Sequence, residues 1–167
     1  MLRGVKNETA RLDCEVLLSY VLGWSRLKII TEGNTEIGRA QIIRFKDLIR
    51  KRAEGMPVAY LTGEKEFMGL SFEVEQGVLI PRADSEIAAQ ALIDECGGIA
   101  PPVRFADVCC GSGAIGISAA KYVPDALAVL TDISAAAVEI ARRNSRRIGV
   151  ADRVKVISGD LLSPVIG

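Results

Sequence analysis

Asp107-Val108-Cys109-Cys110-Gly111-Ser112-Gly113 is where this chain declares an α/β sheet. An apolar run, Val103 to Val108, carries one acid and then breaks into a loop with two glycines. Ala114 to Ala120 follows with helix-forming character, and a second apolar run, Ala126 to Leu130, ends at Thr131-Asp132. Strand, tight loop, helix, strand, acid is the order in which such a sheet builds a nucleoside pocket at the carboxyl ends of its strands. Gly111 and Gly113 lack Cβ, so the backbone can turn sharply and approach a ligand. The helix behind them offers unpaired N–H groups and the positive end of its dipole. Asp132 stands where a carboxylate can accept hydrogen bonds from ribose hydroxyls. Asp107 stands where it can brace the loop amides or lie near a cationic ligand.

Two cofactors fit this outline. Gly111-Ser112-Gly113-Ala114-Ile115-Gly116 reads G-x-G-x-x-G, with an acid about 20 residues further on, which is the dinucleotide fingerprint. S-adenosylmethionine is the rival; its sulfonium is positive and it carries no pyrophosphate. Asp107 favours the rival, because an acid beside the loop repels a pyrophosphate and tolerates a cation.

On the carboxyl side the alternation continues: a helix over Ala135–Ile148 capped by Ser134, a strand over Val154–Ile157, then Gly159-Asp160. Three strands joined by helices predict a parallel sheet with right-handed crossovers. On the amino side, Pro101-Pro102 and Gly97-Gly98 separate the first strand from a helix ending near Cys96, which Asp84 or Ser85 can cap. Val78-Leu79-Ile80-Pro81 ends an extended piece. Glu66 to Val74 partly alternates around Gly69, as a hairpin does. Upstream of the breaker Glu54-Gly55-Met56-Pro57 the periodicity is helical. Leu12, Val16 and Tyr20 recur at four-residue steps with Leu17 and Val21 beside them, and Gly23 ends that helix. Ile42, Phe45 and Ile49 mark another helix between Arg39 and Arg52, with a loop over Thr31–Gly38. These stripes predict core packing within a small helical module.

Composition bounds the function. The 167 residues are 49% hydrophobic and 25% charged, which is globular rather than disordered. The length suits one ordinary domain, or a small domain with part of another. Lys plus Arg equals Asp plus Glu at 21 each, so no overall field draws the chain to nucleic acid or a membrane. Arg142, Arg143, Arg146 and Arg147, like Arg44, Lys46, Arg50, Lys51 and Arg52, therefore read as solvated helix faces rather than as RNA contacts. The absence of histidine removes histidine triads, bases and metal sites. Cys14, Cys96, Cys109 and Cys110 lack zinc spacing and read as reduced thiols of a cytoplasmic protein. Met1 to Glu8 shows no apolar core of a signal peptide, and no run has the length of a membrane span. Trp24 reads as a core residue. Arg82 and Glu86 fit either a pocket lid or an ion pair at a helix start.

Three stretches together resemble the release-factor glutamine methyltransferases, the HemK/PrmC family. Ala10-Arg11-Leu12-Asp13-Cys14-Glu15-Val16-Leu17-Leu18 is similar to the family's first helix. Gly55-Met56-Pro57-Val58-Ala59-Tyr60-Leu61-Thr62-Gly63-Glu64-Lys65-Glu66-Phe67 is similar to its interdomain segment. Leu79-Ile80-Pro81-Arg82-Ala83-Asp84-Ser85-Glu86 is similar to its Pro-Arg-x-[Asp/Glu]-[Thr/Ser]-Glu signature. The resemblance implies a helical substrate-docking domain over 1–64, a β-hairpin linker over 65–82 and the amino-terminal half of a Rossmann-like S-adenosylmethionine domain over 83–167. It implies methyl transfer to the glutamine amide in the Gly-Gly-Gln loop of peptide-chain release factors. For cofactor binding it implies Asp107, the loop Cys109, Cys110, Gly111, Ser112 and Gly113, the ribose carboxylate Asp132 with Ile133, and Asp160 with Leu161 near the adenine. The alternatives are an adenine methyltransferase of nucleic acids, a non-catalytic cofactor-binding fragment and a nicotinamide-dependent enzyme.

The chain departs from the family at two places. Cys109 replaces a glycine of the Asp-x-Gly-x-Gly-x-Gly pattern, and a side chain there crowds the ligand if the backbone needs positive φ. The family's Asn-Pro-Pro-Tyr loop does not occur before Gly167. The expectation is therefore a fragment with no catalytic residue of its own and with Val103–Val108 as an open apolar edge.

Overall fold

The computed structural model describes residues 7–166 and divides the chain into one unit ending at Gly63 and another beginning at Glu64. Met1 to Lys6, most of the stretch read for a secretory leader, and Gly167 lie outside the described residues.

The first unit is helical: α1 Asn7–Leu22, α2 Arg26–Thr31, α3 Arg39–Ala53 and α4 Val58–Thr62. Gly23 ends α1 at φ 66°, a conformation glycine reaches without a Cβ penalty. The Ser25 side chain accepts from Lys28 N at 3.2 Å and starts α2. Leu17, Val21, Leu48, Ile49 and Leu61 form the core. The core face of α1 differs from the four-residue stripe read in the sequence: Leu12 and Tyr20 are 43% and 41% exposed, and Leu17 and Val21 are buried instead. The two rows lie side by side on the helix, and only packing selects between them. Trp24 is half-buried with Lys28 Nζ 4.5 Å over its ring. Arg52 on α3 holds Asp13 on α1 at 2.8 Å.

The second unit opens with an antiparallel hairpin, β1 Glu64–Phe67 and β2 Leu70–Glu73. Its turn needs positive φ at both central positions, Met68 at 53° and Gly69 at 70°. Residues 74–84 then run without a strand, so the extended piece expected around Val78–Pro81 is irregular backbone. α5 Ser85–Gly97 begins at Asp84, but the Asp84 side chain makes no cap bond. Asp84 is already helical, and the amides of Ser85 and Glu86 go to the carbonyls of Arg82 and Ala83.

β3 Arg104–Val108, α6 Ala114–Tyr122, β4 Leu127–Asp132, α7 Ala135–Ile148 and β5 Val154–Ser158 follow, with α8 Ser163–Ile166 after them. The sheet is parallel, in the order β3-β4-β5 among the described residues. This is a Rossmann-like α/β unit that follows a helical one along the chain, as the sequence predicts. Ile117 and Ala120 of α6 and Val138 and Ala141 of α7 pack onto Ala128, Leu130, Val154 and Val156. The alternate residues Arg104, Ala106, Leu127, Val129 and Lys155 lie on the opposite face and border an open hollow of about 770 Å³. β3 pairs only with β4 among the described residues and is less buried than β4.

Candidate functional site

The carboxyl ends of β3 and β4 meet at a hollow of about 300 Å³. Cys109, Cys110, Gly111, Ser112 and Asp132 line it, opposite Val78, Leu79, Pro81, Arg82 and Ser85. This hollow, rather than the larger one on the open sheet face, gathers the glycine loop and an acid.

Cys109 turns the chain out of β3 at φ 60°, a conformation that costs a side chain about 1–2 kcal/mol. Cys110 N then donates to Thr131 O at 2.9 Å, and Gly113 N to Cys110 O at 2.8 Å, closing the loop. Gly111 at φ 56° and Gly113 at φ 79° complete it, and Gly113 is the N-cap of α6. A Cβ on Gly113 would stand 2.6 Å from Ile117 Cδ1, so the loop lies tight against the helix behind it. The Cys109 side chain is exposed in the hollow. Burial, with the charges of Asp107 and Asp132 behind it, pushes the Cys110 thiol up to about 12.

Asp132 is the acid that braces the loop. Its Oδ2 accepts from Gly111 N at 2.8 Å and its Oδ1 from Ser134 N at 2.9 Å. Each carboxylate oxygen keeps a further lone-pair direction. Asp107 sits behind the loop, where its Oδ2 accepts from Gly116 N at 2.9 Å. A Cβ on Gly116 would come within 2.9 Å of that carboxylate, so this glycine is required for the contact. Burial pushes the Asp107 carboxyl up to about 6, and the nearby Asp132 charge adds to the rise, against the pull of the Gly116 amide.

Of the other residues singled out, Ile133, Asp160 and Leu161 are not among those that line the hollow. Ile133 follows Asp132 and is 76% exposed. Asp160 and Leu161 are exposed, on a segment tied to β4. Gly159 N donates to Asp132 O at 3.0 Å and Thr131 Oγ1 to Leu161 O at 2.9 Å. Arg82 lines the hollow, whereas Glu86 turns to the hairpin and accepts from Met68 N at 2.8 Å. The α7 arginines are mostly engaged: Arg143 with Glu73 and Glu75, Arg147 with Glu64 and Glu73, and Arg142 with Val156 O. On α3, Arg50 and Lys51 hold Asp47, and Arg44 lies 4.9 Å over the Tyr20 ring.

Sequence reasoning missed Asn144. It is fully buried on α7 and touches both the loop and the hairpin. The available signal was a polar amide three residues after Ala141 and seven after Ala137, on the buried face of the helix.

A family model described as the PrmC N-terminal domain matches residues 1–63, and one described as the methyltransferase small domain matches residues 82–166. The release factor glutamine methyltransferase of Clostridium acetobutylicum is 40% identical over 166 residues, or 99% of this chain and 58% of that protein. The protein of the same name from Moorella thermoacetica is 41% identical over 163 residues, or 96% of this chain and 56% of that one. The chain thus spans somewhat over half the length of the curated relatives it matches. Among solved structures, the N-terminal domain of human METTL16 shares the fold at 20% identity with a TM-score of 0.50, covering 74% of this chain and 48% of that one. Loop, acid and both family matches agree: the chain belongs to the methyltransferase small domain family over residues 82–166, with a PrmC N-terminal domain matched before it over residues 1–63.

Proposed function

We propose that this chain provides the S-adenosylmethionine site of a methyltransferase that modifies the glutamine side-chain amide in the Gly-Gly-Gln loop of a peptide-chain release factor. The supporting observation is how the loop amides are used. Gly111 N and Gly116 N already go to the carboxylates of Asp132 and Asp107, and Gly113 N goes to Cys110 O. A pyrophosphate here would meet two acids in place of open amides, whereas a sulfonium is attracted by them.

When bound, S-adenosylmethionine supplies an electrophilic methyl group. The chain's own residues bind and orient it. Asp132, with Ile133 next to it, offers its remaining lone pairs to the ribose hydroxyls, and Asp160 and Leu161 stand near the adenine. Cys109 to Gly113 shape the floor of the hollow, and Asp107 supports the loop and contributes negative potential. In this reading residues 1–64 dock the substrate, 65–82 link, and 83–167 hold the cofactor. No catalytic residue is assigned. The release-factor substrate rests on the names of the relatives and on the family signature at Leu79 to Glu86. It accords with a cytoplasmic setting; among the described residues no helix is long and apolar enough to cross a membrane. Arg50 of α3 and Arg143 and Arg147 of α7 are held in ion pairs, and the net charge is zero, which does not favour a nucleic-acid backbone.

Calorimetry against S-adenosylmethionine and NAD tests the cofactor, with heat expected from the first alone. Radiolabelled methyl transfer, with release factor and adenine-containing oligonucleotides offered separately, tests the substrate. Label on the release-factor glutamine supports the proposal, and label on adenine replaces it. Binding without transfer to either leaves the non-catalytic reading.

A further inference from the structure

Among the described residues, Asn144 is a fully buried amide that bridges two walls of the candidate site. Its Oδ1 accepts from Glu73 N at 2.7 Å, and its Nδ2 donates to Glu73 O at 3.1 Å. The side chain thus pairs with the end of β2 as a neighbouring strand would, using both backbone groups of one residue. The same Nδ2 donates to Ser112 O at 2.9 Å. Ser112 belongs to the loop that floors the hollow, and Glu73 leads directly into residues 74–85, which supply the facing wall. A second contact fixes that wall to the same helix: Val78 packs on Ala137 and Ile140 of α7. α7 is therefore the common mount for floor and wall, and Asn144 is its polar fastening.

An apolar residue of this size would fill the space, so packing alone does not call for an amide. It is called for because Asn144 is fully buried where Glu73 N and the carbonyls of Glu73 and Ser112 converge, and these groups need partners there. A carboxylate would satisfy only the N–H and a lysine only the carbonyls; an amide satisfies all of them.

We propose that Asn144 is a positioning residue that sets the spacing between the Cys109–Gly113 loop and the Gly77–Ser85 wall, and thereby the affinity for S-adenosylmethionine. The inference rests on the cofactor reading above, and the experiment separates the two. Wild type, Asn144→Leu and, as a stability control in the same core but away from the hollow, Val150→Ala are compared where circular dichroism shows each folded. Asn144→Leu is expected to bind S-adenosylmethionine about tenfold more weakly, and Val150→Ala as wild type does. Hydrogen exchange on the ligand-free proteins supplies the second readout. The amides of Gly111, Gly113 and Val78 should lose protection together in Asn144→Leu and keep it in Val150→Ala.

Should Asn144→Leu fail to fold, the near-isosteric Asn144→Asp replaces it. Asn144→Asp keeps the acceptor for Glu73 N and regains a hydrogen to donate when protonated, so its loss should narrow as pH falls. Unchanged affinity in a folded Asn144 variant overturns the proposal, as does loss of protection on one wall only. If wild type itself binds no S-adenosylmethionine, the cofactor reading fails and the exchange pattern alone decides whether Asn144 spaces the walls.

Discussion

Cys109 occupies a left-handed backbone position beside the candidate cofactor site, which its neighbours Gly111 and Gly113 occupy without strain. Cys109→Gly is expected to raise stability by about 1 kcal/mol, the left-handed penalty less the added freedom of the unfolded glycine. It should also tighten S-adenosylmethionine binding by clearing the hollow; urea unfolding and calorimetry read the two effects. Asp107 gives a pH signature. Folded, its carboxyl keeps a proton up to about pH 6; unfolded, it loses it near 4. The native state therefore binds more protons across that window, and this contribution to stability, complete at the acid end, is lost as pH rises through 6. Asp107→Asn can still accept from Gly116 N and carries no such loss. Between pH 4 and pH 7 its stability relative to wild type should rise by about 2 kcal/mol, most of the two pKa units at about 1.4 kcal/mol each; urea titrations at each pH measure it. Loop and acids were legible in the sequence because glycine and aspartate are confined to few backbone settings. Which acid braces which amide was not, since Asp107 and Asp132 both end strands and only the path of the loop between them assigns the bonds.

The helices and strands of the second unit follow the sequence closely, because strict alternation and a serine cap mark β3 to β5 and α7. Ser134 accepts from Ala137 N as expected of a cap. What failed at this scale had no strong local signal: the irregular run after the hairpin, and the choice between adjacent apolar rows on α1. The hairpin shows which contacts hold an element in place. Its turn is pinned by Glu86 on Met68 N and by Tyr122 Oη on Met68 O at 2.5 Å, and its far ends by ion pairs from Arg143 and Arg147 to Glu64, Glu73 and Glu75. The ion pairs are exposed, so Arg147→Ala should cost no more than about 0.5 kcal/mol and less in high salt. Glu86→Ala leaves a half-buried amide without its acceptor and should cost about 1–2 kcal/mol. Thermal unfolding of the two variants at low and high salt checks both the order and the salt dependence.

Each of the two units has its own core, and the second leaves one sheet face and the β3 edge uncovered among the described residues. Parallel sheets are ordinarily covered on both faces, and open edges invite pairing. The chain by itself should therefore associate as its concentration is raised in analytical ultracentrifugation. Ala106→Lys, which places a charge on that open face, should shift it toward monomer without lowering S-adenosylmethionine affinity. The parallel arrangement has one more effect. With β3, β4 and β5 all running the same way, the turns after Val108, Asp132 and Ser158 arrive at one rim, while Arg104, Leu127 and Val154 begin at the other. Natural variation among relatives should therefore divide along the sheet, with drift tolerated where strands start and selection concentrated where they finish.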